Sequence, residues 1–444
     1  METMSIEEKE KKKVDSIIQN LIDNEVELIK DSKYLLTGVI PDQDWYYQRN
    51  GMEMVLRHIH NFLVMGGSKM IYLHGGNGVG KTATVNMLIK SFQEKLSLNK
   101  QYPDEIDVIR VDCKARNTSH AIIKGIVDID KKISKSDASK MFQDFLHTIS
   151  KPTIIFLDDL QELADDNVFY KLSRPADIVG EVRNILVIVT SKYDIQNISR
   201  KFTEHTESSL NAKKEYFSNY DENALYEILV ARAKKALFKY DKYMIRHIAK
   251  PCAKRAKGDA RIAIKVLEHV VSDDKYSSWV DEFMAERTSL EARETTAIPD
   301  EDAVRITKLV AGFDSYIKDI LDRVLSNSQI QFMSVLESTE IVTLYQVVYY
   351  EKKYGNAYMS QLYGNQHSKN IGFLMTNYAI DKFIERMERI DLVSLVKVHV
   401  KKSYQNRIEH KLTPQAIAYL ENKYEELVQP IFNKERSIEE VSAE

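Results

Sequence analysis

The chain has 444 residues, of which 43% are hydrophobic and 29% are charged, and its 63 basic and 66 acidic residues leave a formal net charge of −3. A chain of this length has room for roughly two to four domains with ordinary globular cores. The near balance of charge excludes a protein that coats nucleic acid with positive charge over its whole surface. Any contact with a polyanion therefore requires a local basic patch.

The composition also sets an expectation for location. No run approaches the roughly 18 apolar residues of a membrane-spanning helix, and the first residues lack the cationic and apolar parts of a signal peptide. The two cysteines, Cys113 and Cys252, are far apart and match no zinc-ligand spacing, which fits a reducing compartment. We therefore expect an intracellular, cytoplasmic protein without membrane contact.

The N-terminal part of the chain predicts helices before the first strand. Apolar residues at helical spacing indicate one helix over residues 14–29 and a second over residues 52–62. Pro41 and the acidic residues after it interrupt the chain between these helices. The second helix leads into an apolar run over residues 70–74, which predicts the first strand of a sheet.

A phosphate-binding loop follows that strand. The residues from Gly75 to Thr82 match G-x-x-x-x-G-K-[ST], and the run from Ala83 to Ile89 is helix-like. Such a loop points backbone N–H groups and the positive end of a helix at phosphate oxygens. Lys81 is expected to neutralise the β- and γ-phosphates, and Thr82 to hold Mg²⁺. The residues predicted to bind ATP or ADP are Gly75, Gly76, Asn77, Gly78, Val79, Gly80, Lys81, Thr82 and Ala83.

Apolar runs over residues 107–112, 153–158 and 184–191 predict three more strands. Helical patterns lie between them, so we predict an open, mostly parallel α/β sheet with helices on both faces. Ligands of such sheets bind at the carboxyl ends of the strands. The run over residues 153–158 closes on two carboxylates there. Asp158 is predicted to organise Mg²⁺, and Asp159 to orient or deprotonate the attacking water.

Two further residues are candidates for sensing the γ-phosphate. Ser191 ends the fourth strand, where its hydroxyl can reach the phosphate or the attacking water, although a strand-end serine without a ligand fits almost as well. Arg261 opens a helix just after Gly258 and Asp259, from which its guanidinium can contact phosphate across a domain boundary. A solvated arginine in the first turn is the alternative for that position.

From about Lys214 the pattern is helical, and a period of two over residues 392–412 then predicts a hairpin. The helices predicted beyond the lid cover residues 316–325, 328–336, 341–354, 376–390 and 414–428. Helices, a hairpin and a final helix outline a winged-helix domain. The predicted domains are an N-terminal helical extension (1–34), a nucleotide-binding base (35–212), a helical lid (213–290), a linker (291–312), a winged helix (313–432) and a flexible tail (433–444).

The lid carries a resemblance to a known family. The passage from Lys257 to Leu267, with Gly-Asp-Ala-Arg at its start, resembles the archaeal origin-binding initiators of the Orc/Cdc type, as does the passage from Tyr220 to Arg232. Those proteins are AAA+ ATPases with a C-terminal winged helix, and the likeness in organisation covers nearly all of the chain after about residue 35. It implies ATP binding and hydrolysis by Lys81, Thr82, Asp158 and Asp159, with Ser191 as first sensor and Arg261 as second.

Three departures from the family qualify that expectation. Asp159 stands where the family has glutamate, and Ser191 where it has asparagine, so hydrolysis is expected to be slow or differently tuned. The arginine that acts on a neighbouring subunit has no clean match, because its expected place falls near His205 and the candidate Arg200 lies earlier. The Asp-Asp-Leu-Gln order from Asp158 also resembles the bacterial initiator and its loader relatives.

The hairpin is the local basic patch that the global charge conceals. Lysines at a hairpin tip suit phosphates or the minor groove, and the helix before the hairpin suits the major groove. A solvated, charge-protected hairpin is the alternative. The residues predicted to contact DNA are Lys131, Lys132 and Lys135 in an insertion that the resemblance implies touches DNA, Thr376, Asn377, Lys382 and Arg386 on the helix, and Lys397, Lys401, Lys402, Tyr404, Arg407 and Lys411 in the hairpin.

Together these features predict a replication-initiator-type ATPase that binds double-stranded origin DNA and uses ATP with Mg²⁺ as a conformational switch. We expect it to be chromosome-associated, in the nucleus if the source is eukaryotic, with the replicative helicase and other initiator copies as partners. A signalling or regulatory ATPase whose winged helix binds a protein is the alternative from another class. A transposition or loader-type ATPase is a third reading, but such proteins normally lack the C-terminal wing.

Overall fold

The structure is a computed structural model, and it describes residues 28–39, 50–96, 102–103, 105–195, 212–291, 300–363, 372–373, 375–390, 392–400 and 403–442. Most of the helix predicted over residues 14–29 lies outside these ranges, as do Lys401, Lys402, Arg200 and His205. The chain divides into two compact units, Met1–Ile317 and Lys318–Glu444. The finer division into extension, base, lid and linker stays a prediction.

The first unit is built on a five-stranded parallel sheet with the order β2-β3-β4-β1-β5. Its strands are β1 (Ser68–Gly75), β2 (Asp107–Asp112), β3 (Thr153–Asp158), β4 (Ile185–Ser191) and β5 (Lys213–Phe217). The four predicted strands are confirmed. The expectation of helix alone beyond about Lys214 is wrong, because the start of that segment is an edge strand whose exposed lysines gave no buried-strand signal.

Helices cover both faces of this sheet. They are α1 (Asn50–Met65), α2 (Lys81–Lys95), α3 (Ser119–Ile126), α4 (Lys135–Thr148), α5 (Asn167–Ser173) and α6 (Pro175–Val179). One core, between the sheet and helices α1 and α2, takes Leu186 and Ile188 from β4. The other core, beneath α3, α4 and α5, takes Val187 and Val189. Side chains of β4 therefore alternate strictly between the two faces.

The lid of the first unit is helical, as predicted. Its helices are α7 (Glu222–Ala236), α8 (Lys242–Arg255), α9 (Ala260–Val271) and α10 (Asp274–Glu291). Aspartates begin three of them: the side chains of Asp221, Asp241 and Asp259 each accept hydrogen bonds from backbone N–H groups in the first turn. Such caps satisfy donors that the helix leaves without internal partners, so the chain specifies where each helix starts.

A buried arginine ties the start of the described chain to this lid. Arg232 of α7 is 3% exposed. Its Nη1 donates to the carbonyls of Tyr34 and Leu36 at 2.8 and 2.9 Å, and its Nη2 donates to the carbonyl of Val39 at 3.1 Å. Burial lowers the pKa of Arg232 to about 10, so it stays charged at neutral pH. No role for this side chain follows from the sequence beyond its place in the family-like passage.

One long helix, α11 (Asp300–Met333), replaces the end of the predicted linker and two predicted helices. Residues 300–312 of the predicted linker are therefore helical, and their role as a linker stays a prediction. Buried Phe313, Ile317 and Val324 repeat at helical spacing along α11. The serines that indicated a break are accommodated inside the helix, where Ser326 and Ser328 donate to the carbonyls four residues earlier at 2.6 and 3.2 Å.

The second unit has the order of elements of a winged helix. Its elements are α12 (Ser338–Tyr354), β6 (Ala357–Tyr358), α13 (Met359–Leu362), α14 (Asn377–Arg389), β7 (Val393–Val400), β8 (Ser403–His410) and α15 (Pro414–Ser442). The strands form an antiparallel sheet with the order β6-β8-β7, which confirms the predicted hairpin. Helix α15 continues to Ser442, so most of the residues predicted as a flexible tail are helical.

Among the described residues, no helix combines the length and the apolar character that crossing a bilayer requires.

Candidate nucleotide site and nucleic-acid interface

The loop from Gly75 to Thr82 connects β1 to α2, as the motif predicts. Gly75 and Gly78 have φ angles of +152° and +64°, which favour glycine. A Cβ atom on Gly78 would lie 1.7 Å from Oδ1 of Asp259. The loop is therefore closed against the lid, and a side chain at Gly78 would push the two apart.

Lys81 is held inside this loop. Its Nζ donates to the carbonyls of Gly75 and Gly76, each at 2.8 Å, and the residue is 9% exposed. Burial lowers the pKa of Lys81 to about 8, against the opposing effect of the Asp159 carboxylate. An ammonium group that donates to two carbonyl oxygens in this loop is positioned to donate to phosphate oxygens instead.

Asp158 is the point where the strands and the loop meet. Its Oδ1 accepts hydrogen bonds from the hydroxyl of Thr82 at 2.7 Å and from the hydroxyl of Thr190. Its Oδ2 lies 3.4 Å from Nη2 of Arg110. The Thr82 hydroxyl and the Asp158 carboxylate are adjacent oxygen ligands of the kind that Mg²⁺ prefers, so these residues fit the predicted metal.

No group of three or more acidic, histidine or cysteine side chains that could hold a metal occurs in the described part of the chain. A magnesium site in general can take one or two protein oxygens and complete its shell with nucleotide phosphates and water. The metal roles of Thr82 and Asp158 remain predictions.

Asp159 adopts a backbone conformation that is uncommon for a residue with a side chain. Its φ and ψ are +56° and +51°, and its N–H donates to Oγ1 of Thr190 at 3.0 Å. Among the charged groups, its carboxylate has the largest effect on the pKa of Lys81. Asp159 therefore lies in the field of the phosphate-binding lysine, as a water-orienting carboxylate would.

The side chains of Ser191 and its neighbour Thr190 lie on opposite faces of the sheet. Ser191 is fully buried, and its Oγ accepts from the N–H of Tyr193 at 3.2 Å. Strand alternation turns Ser191 toward the core beneath α3, whereas Thr190 faces α2 and contacts Asp158. Thr190 is therefore the side chain of this pair that contacts the Asp158 carboxylate, and the sensor role of Ser191 stays a prediction.

Arg261 reaches the site from the lid but is engaged by its own helix cap. Asp259 Oδ1 accepts from the N–H of Arg261 at 2.9 Å, and the guanidinium pairs with the same carboxylate, with Nη2 to Oδ2 at 2.9 Å. The N–H of Ala260 also donates to the carbonyl of Gly78 at 3.2 Å. The first turn of α9 therefore lies directly on the phosphate loop, and its role toward a nucleotide stays a prediction.

The insertion residues predicted to touch DNA lie at the start of α4. Lys131, Lys132 and Lys135 are all exposed. Ser134 caps the helix by accepting from the N–H of Asp137 at 3.1 Å. Lys135 also lines a cavity of about 810 Å³ between α3, α4 and α5. These lysines are placed at the surface, as the prediction requires, and their contact with DNA stays untested.

In the wing, the strand register fixes which side chains share a face. Lys397 lies opposite Asn406, and His399 opposite Tyr404, whose rings are 5.2 Å apart. Tyr404 is 74% exposed. These pairs continue the face that begins with the Leu395 and Ile408 pair, of which Ile408 is fully buried in the core. They extend beyond the core toward the hairpin tip.

Other predicted DNA contacts are occupied by neighbouring groups. Arg407 pairs with Glu409 and donates to Oδ1 of Asn356 at 3.3 Å. Lys382 lies 3.0 Å from Glu385, and Arg386 lies 2.7 Å from Glu340. Thr376 caps α14, and Asn377 follows it at the exposed start of the helix. Lys411 lies just after β8, where its N–H donates to the carbonyl of Leu392. The exposed predicted side chains are thus divided between paired and outward-facing groups.

Residues 64–199 match the AAA domain family, so the chain carries a nucleotide-binding domain of the AAA type. The ORC1-type DNA replication protein of Thermococcus kodakarensis is 24% identical over 217 residues, which cover 44% of this chain and 49% of the relative. The chain thus spans about half the length of the curated relatives that it matches first.

Two solved structures from Aeropyrum pernix are similar to the chain in fold. The Orc1 protein in complex with DNA has a TM-score of 0.62 and 16% identity, over 90% of this chain and 97% of that chain. The ORC2 protein in ADPNP–ADP complexes has a TM-score of 0.54 and 16% identity, over 91% and 100%. The predicted fold class, a P-loop AAA+ sheet with a helical lid and a winged helix, is confirmed, and so is the resemblance to Orc/Cdc-type initiators.

Proposed function

We propose that this chain is an ATP-dependent DNA-binding protein that acts in the initiation of DNA replication, recognising origin duplex and recruiting the replicative helicase. The observation that carries the proposal is the direct contact of the lid with the phosphate loop, where Asp259 packs on Gly78 and Arg261 stands beside it. A lid in this position responds to the presence of a γ-phosphate. The winged-helix unit supplies what such a switch controls.

The nucleotide chemistry follows from the residues around the loop. Lys81 exchanges its two carbonyl acceptors for β- and γ-phosphate oxygens, and Thr82 with Asp158 holds Mg²⁺. The metal neutralises charge on the phosphates. Asp159 orients the attacking water, and its carboxylate, one methylene shorter than glutamate, makes slow hydrolysis to ADP and phosphate the expected outcome. Closure requires Arg261 to leave Asp259 for the γ-phosphate.

The DNA interface consists of exposed groups of the wing and the insertion. Lys397 and Tyr404 are exposed on the hairpin strands, and the predicted contacts Lys401 and Lys402 lie between them in the sequence, outside the described residues. Lys131 and its neighbours add a second basic contact. Phosphate contacts of this kind position a protein on duplex, and the rim of the wing can enter a groove. From these DNA contacts we also propose that the protein is chromosome-associated and that it assembles with other initiator copies on DNA.

The test is whether nucleotide state changes duplex binding. Anisotropy of a labelled duplex, measured with ATP, ADP and no nucleotide, should give different affinities for the three states. Lys81→Ala should abolish the difference while leaving duplex binding measurable. Lys90→Ala is the matched control, because Lys90 lies on the same helix, exposed and paired with Glu94 at 3.8 Å. ATP binding by the Lys81 variant at normal affinity would refute the assignment of the site.

A second candidate is supported by the pairing of cations on α14. Lys382 and Arg386 face Glu385 and Glu340, so the helix expected in the major groove presents little unpaired charge in this state. That arrangement favours a winged helix that binds a protein and an ATPase with a regulatory role outside replication. Titration with random and putative origin duplex separates the two readings. Absence of salt-sensitive duplex binding would favour the protein partner.

A further inference from the structure

An arginine that the nucleotide motifs do not include faces the magnesium position. Arg110 lies on β2 opposite Phe156 of β3, two pairs before Asp112 and Asp158 in the parallel register. Its guanidinium carbon is 5.3 Å from the centroid of the Phe156 ring, and its Nη2 is 3.4 Å from Oδ2 of Asp158. Alternation along β2 places it on the same face of the sheet as the phosphate loop.

The two oxygens of Asp158 have different partners. Oδ1 takes both threonine hydroxyls, from Thr82 and Thr190, whereas Oδ2 faces Arg110 alone among the contacts resolved at this carboxylate in the described part of the chain. A divalent cation held by Thr82 and Asp158 would stand within a few ångströms of this guanidinium. Like charges at that separation repel by about 1 to 4 kcal/mol near a protein surface. Because the Arg110 side chain is 48% exposed, solvent reduces that effect to the low end.

We propose that Arg110 is an internal counter-ion of Asp158 that competes with Mg²⁺ and sets the Mg²⁺ concentration at which the site takes up nucleotide. The inference rests on the proposed nucleotide binding and adds a regulator to the same site. When Mg²⁺ is scarce, Arg110 neutralises Asp158 and reduces its repulsion of nucleotide phosphates. When Mg²⁺ enters, it must displace the guanidinium, which can turn outward because it is half exposed.

The proposal predicts that removing the charge of Arg110 has two effects of opposite sign. Arg110→Met keeps an unbranched apolar stem against Phe156 and removes the charge. The half-saturating Mg²⁺ concentration for binding of a fluorescent ADP analogue should fall about fivefold, which corresponds to the reduced repulsion above. In EDTA, the Kd for the same analogue should rise about threefold, because Asp158 then faces the phosphates without its counter-ion.

Two control variants isolate the charge at this position. Arg110→Lys retains a positive charge and should keep the Mg²⁺ requirement close to that of the wild type. Arg116→Met removes an arginine that pairs with Asp130 at 3.3 Å and is 40% exposed, so it should change neither quantity. Circular dichroism and thermal unfolding verify that each variant is folded. Equal effects of the lysine and methionine variants at residue 110 would refute a charge effect.

A second measurement separates this inference from the proposed function. Mn²⁺ bound to the nucleotide-free protein is counted by electron paramagnetic resonance, and Arg110→Met should bind it about fivefold more tightly than the wild type. A wild type that binds no nucleotide would sink the proposed function, yet the Mn²⁺ titration would still decide the role of Arg110. Unchanged or weaker Mn²⁺ binding, or a higher Mg²⁺ requirement, would overturn the competition.

Discussion

Charged side chains are treated in opposite ways by the first unit, which holds the nucleotide site and the lid, and by the winged helix. Lys81, Asp158 and Arg232 are buried or nearly so, and each is held by two or three fixed partners. Lys382 and Arg386 of the winged helix are themselves exposed, and they pair with Glu385 and Glu340. Buried pairs are costly to break, whereas surface pairs are screened by salt. Nucleotide binding should therefore respond to mutation and pH, and DNA binding to ionic strength.

The largest expected effect is at Arg232. Arg232→Met would leave the carbonyls of Tyr34, Leu36 and Val39 without their donor and should lower the free energy of unfolding by about 3 kcal/mol. Urea denaturation followed by circular dichroism measures it. Arg57→Met is the control, because Arg57 is 68% exposed and pairs with Glu53 one turn away at 2.6 Å, so its loss should cost less than about 0.5 kcal/mol. Equal losses of unfolding free energy in the two variants would contradict the difference between buried and surface charges.

The next effect concerns the choice between Thr190 and Ser191. Thr190→Val keeps the shape but removes the donor to Asp158 and the acceptor for the N–H of Asp159, at a cost of about 2 kcal/mol. The Kd for Mg·ADP, measured by titration calorimetry, should rise about tenfold to thirtyfold. Ser191→Ala should leave that Kd within about twofold. A larger rise of the Kd for Ser191→Ala than for Thr190→Val would instead support Ser191 as the sensor.

Lys81 gives the site a pH dependence. Its pKa is lowered to about 8 by burial from the ordinary 10.5, so the nucleotide-free protein should gain stability as pH rises from about 8 to 10.5, where only the unfolded chain keeps the proton. Phosphate binding needs the charged form, so nucleotide affinity should fall about tenfold between pH 7 and 9. A fall of less than about twofold would mean that Lys81 titrates like a solvated lysine.

The smallest effect is expected in the wing. The predicted basic contacts of the hairpin together imply a slope of log affinity against log salt near about −4 to −5, and each phosphate contact contributes about 0.9. Lys397→Ala should therefore make the slope shallower by about 0.9 in anisotropy titrations across salt. Lys382→Ala should change it less, because Lys382 pairs with Glu385 at 3.0 Å. Equal changes would show that the ion pair opens on DNA.

The parts of the site that one continuous motif defines were predictable. The loop at Gly75, the carboxylates after β3 and the hairpin depend on neighbours in sequence, and the structure has each element where the pattern indicates. Arg110 contacts a residue 48 positions away, and Arg232 contacts residues almost two hundred positions away. No local pattern contains such pairs. β5 was not predicted because an edge strand carries exposed charges in place of a buried apolar run. α11 was predicted as two helices because its serines indicated a break between them.

The anchor at Arg232 has a consequence for how the chain can change. Its guanidinium binds only main-chain oxygens of Tyr34, Leu36 and Val39, which every residue type provides. The side chains of that segment can drift without loosening the anchor. An inserted or deleted residue would instead shift the carbonyls out of register with the donor. The segment should therefore tolerate substitutions at its exposed positions, though not at buried Leu35, and changes of length hardly at all.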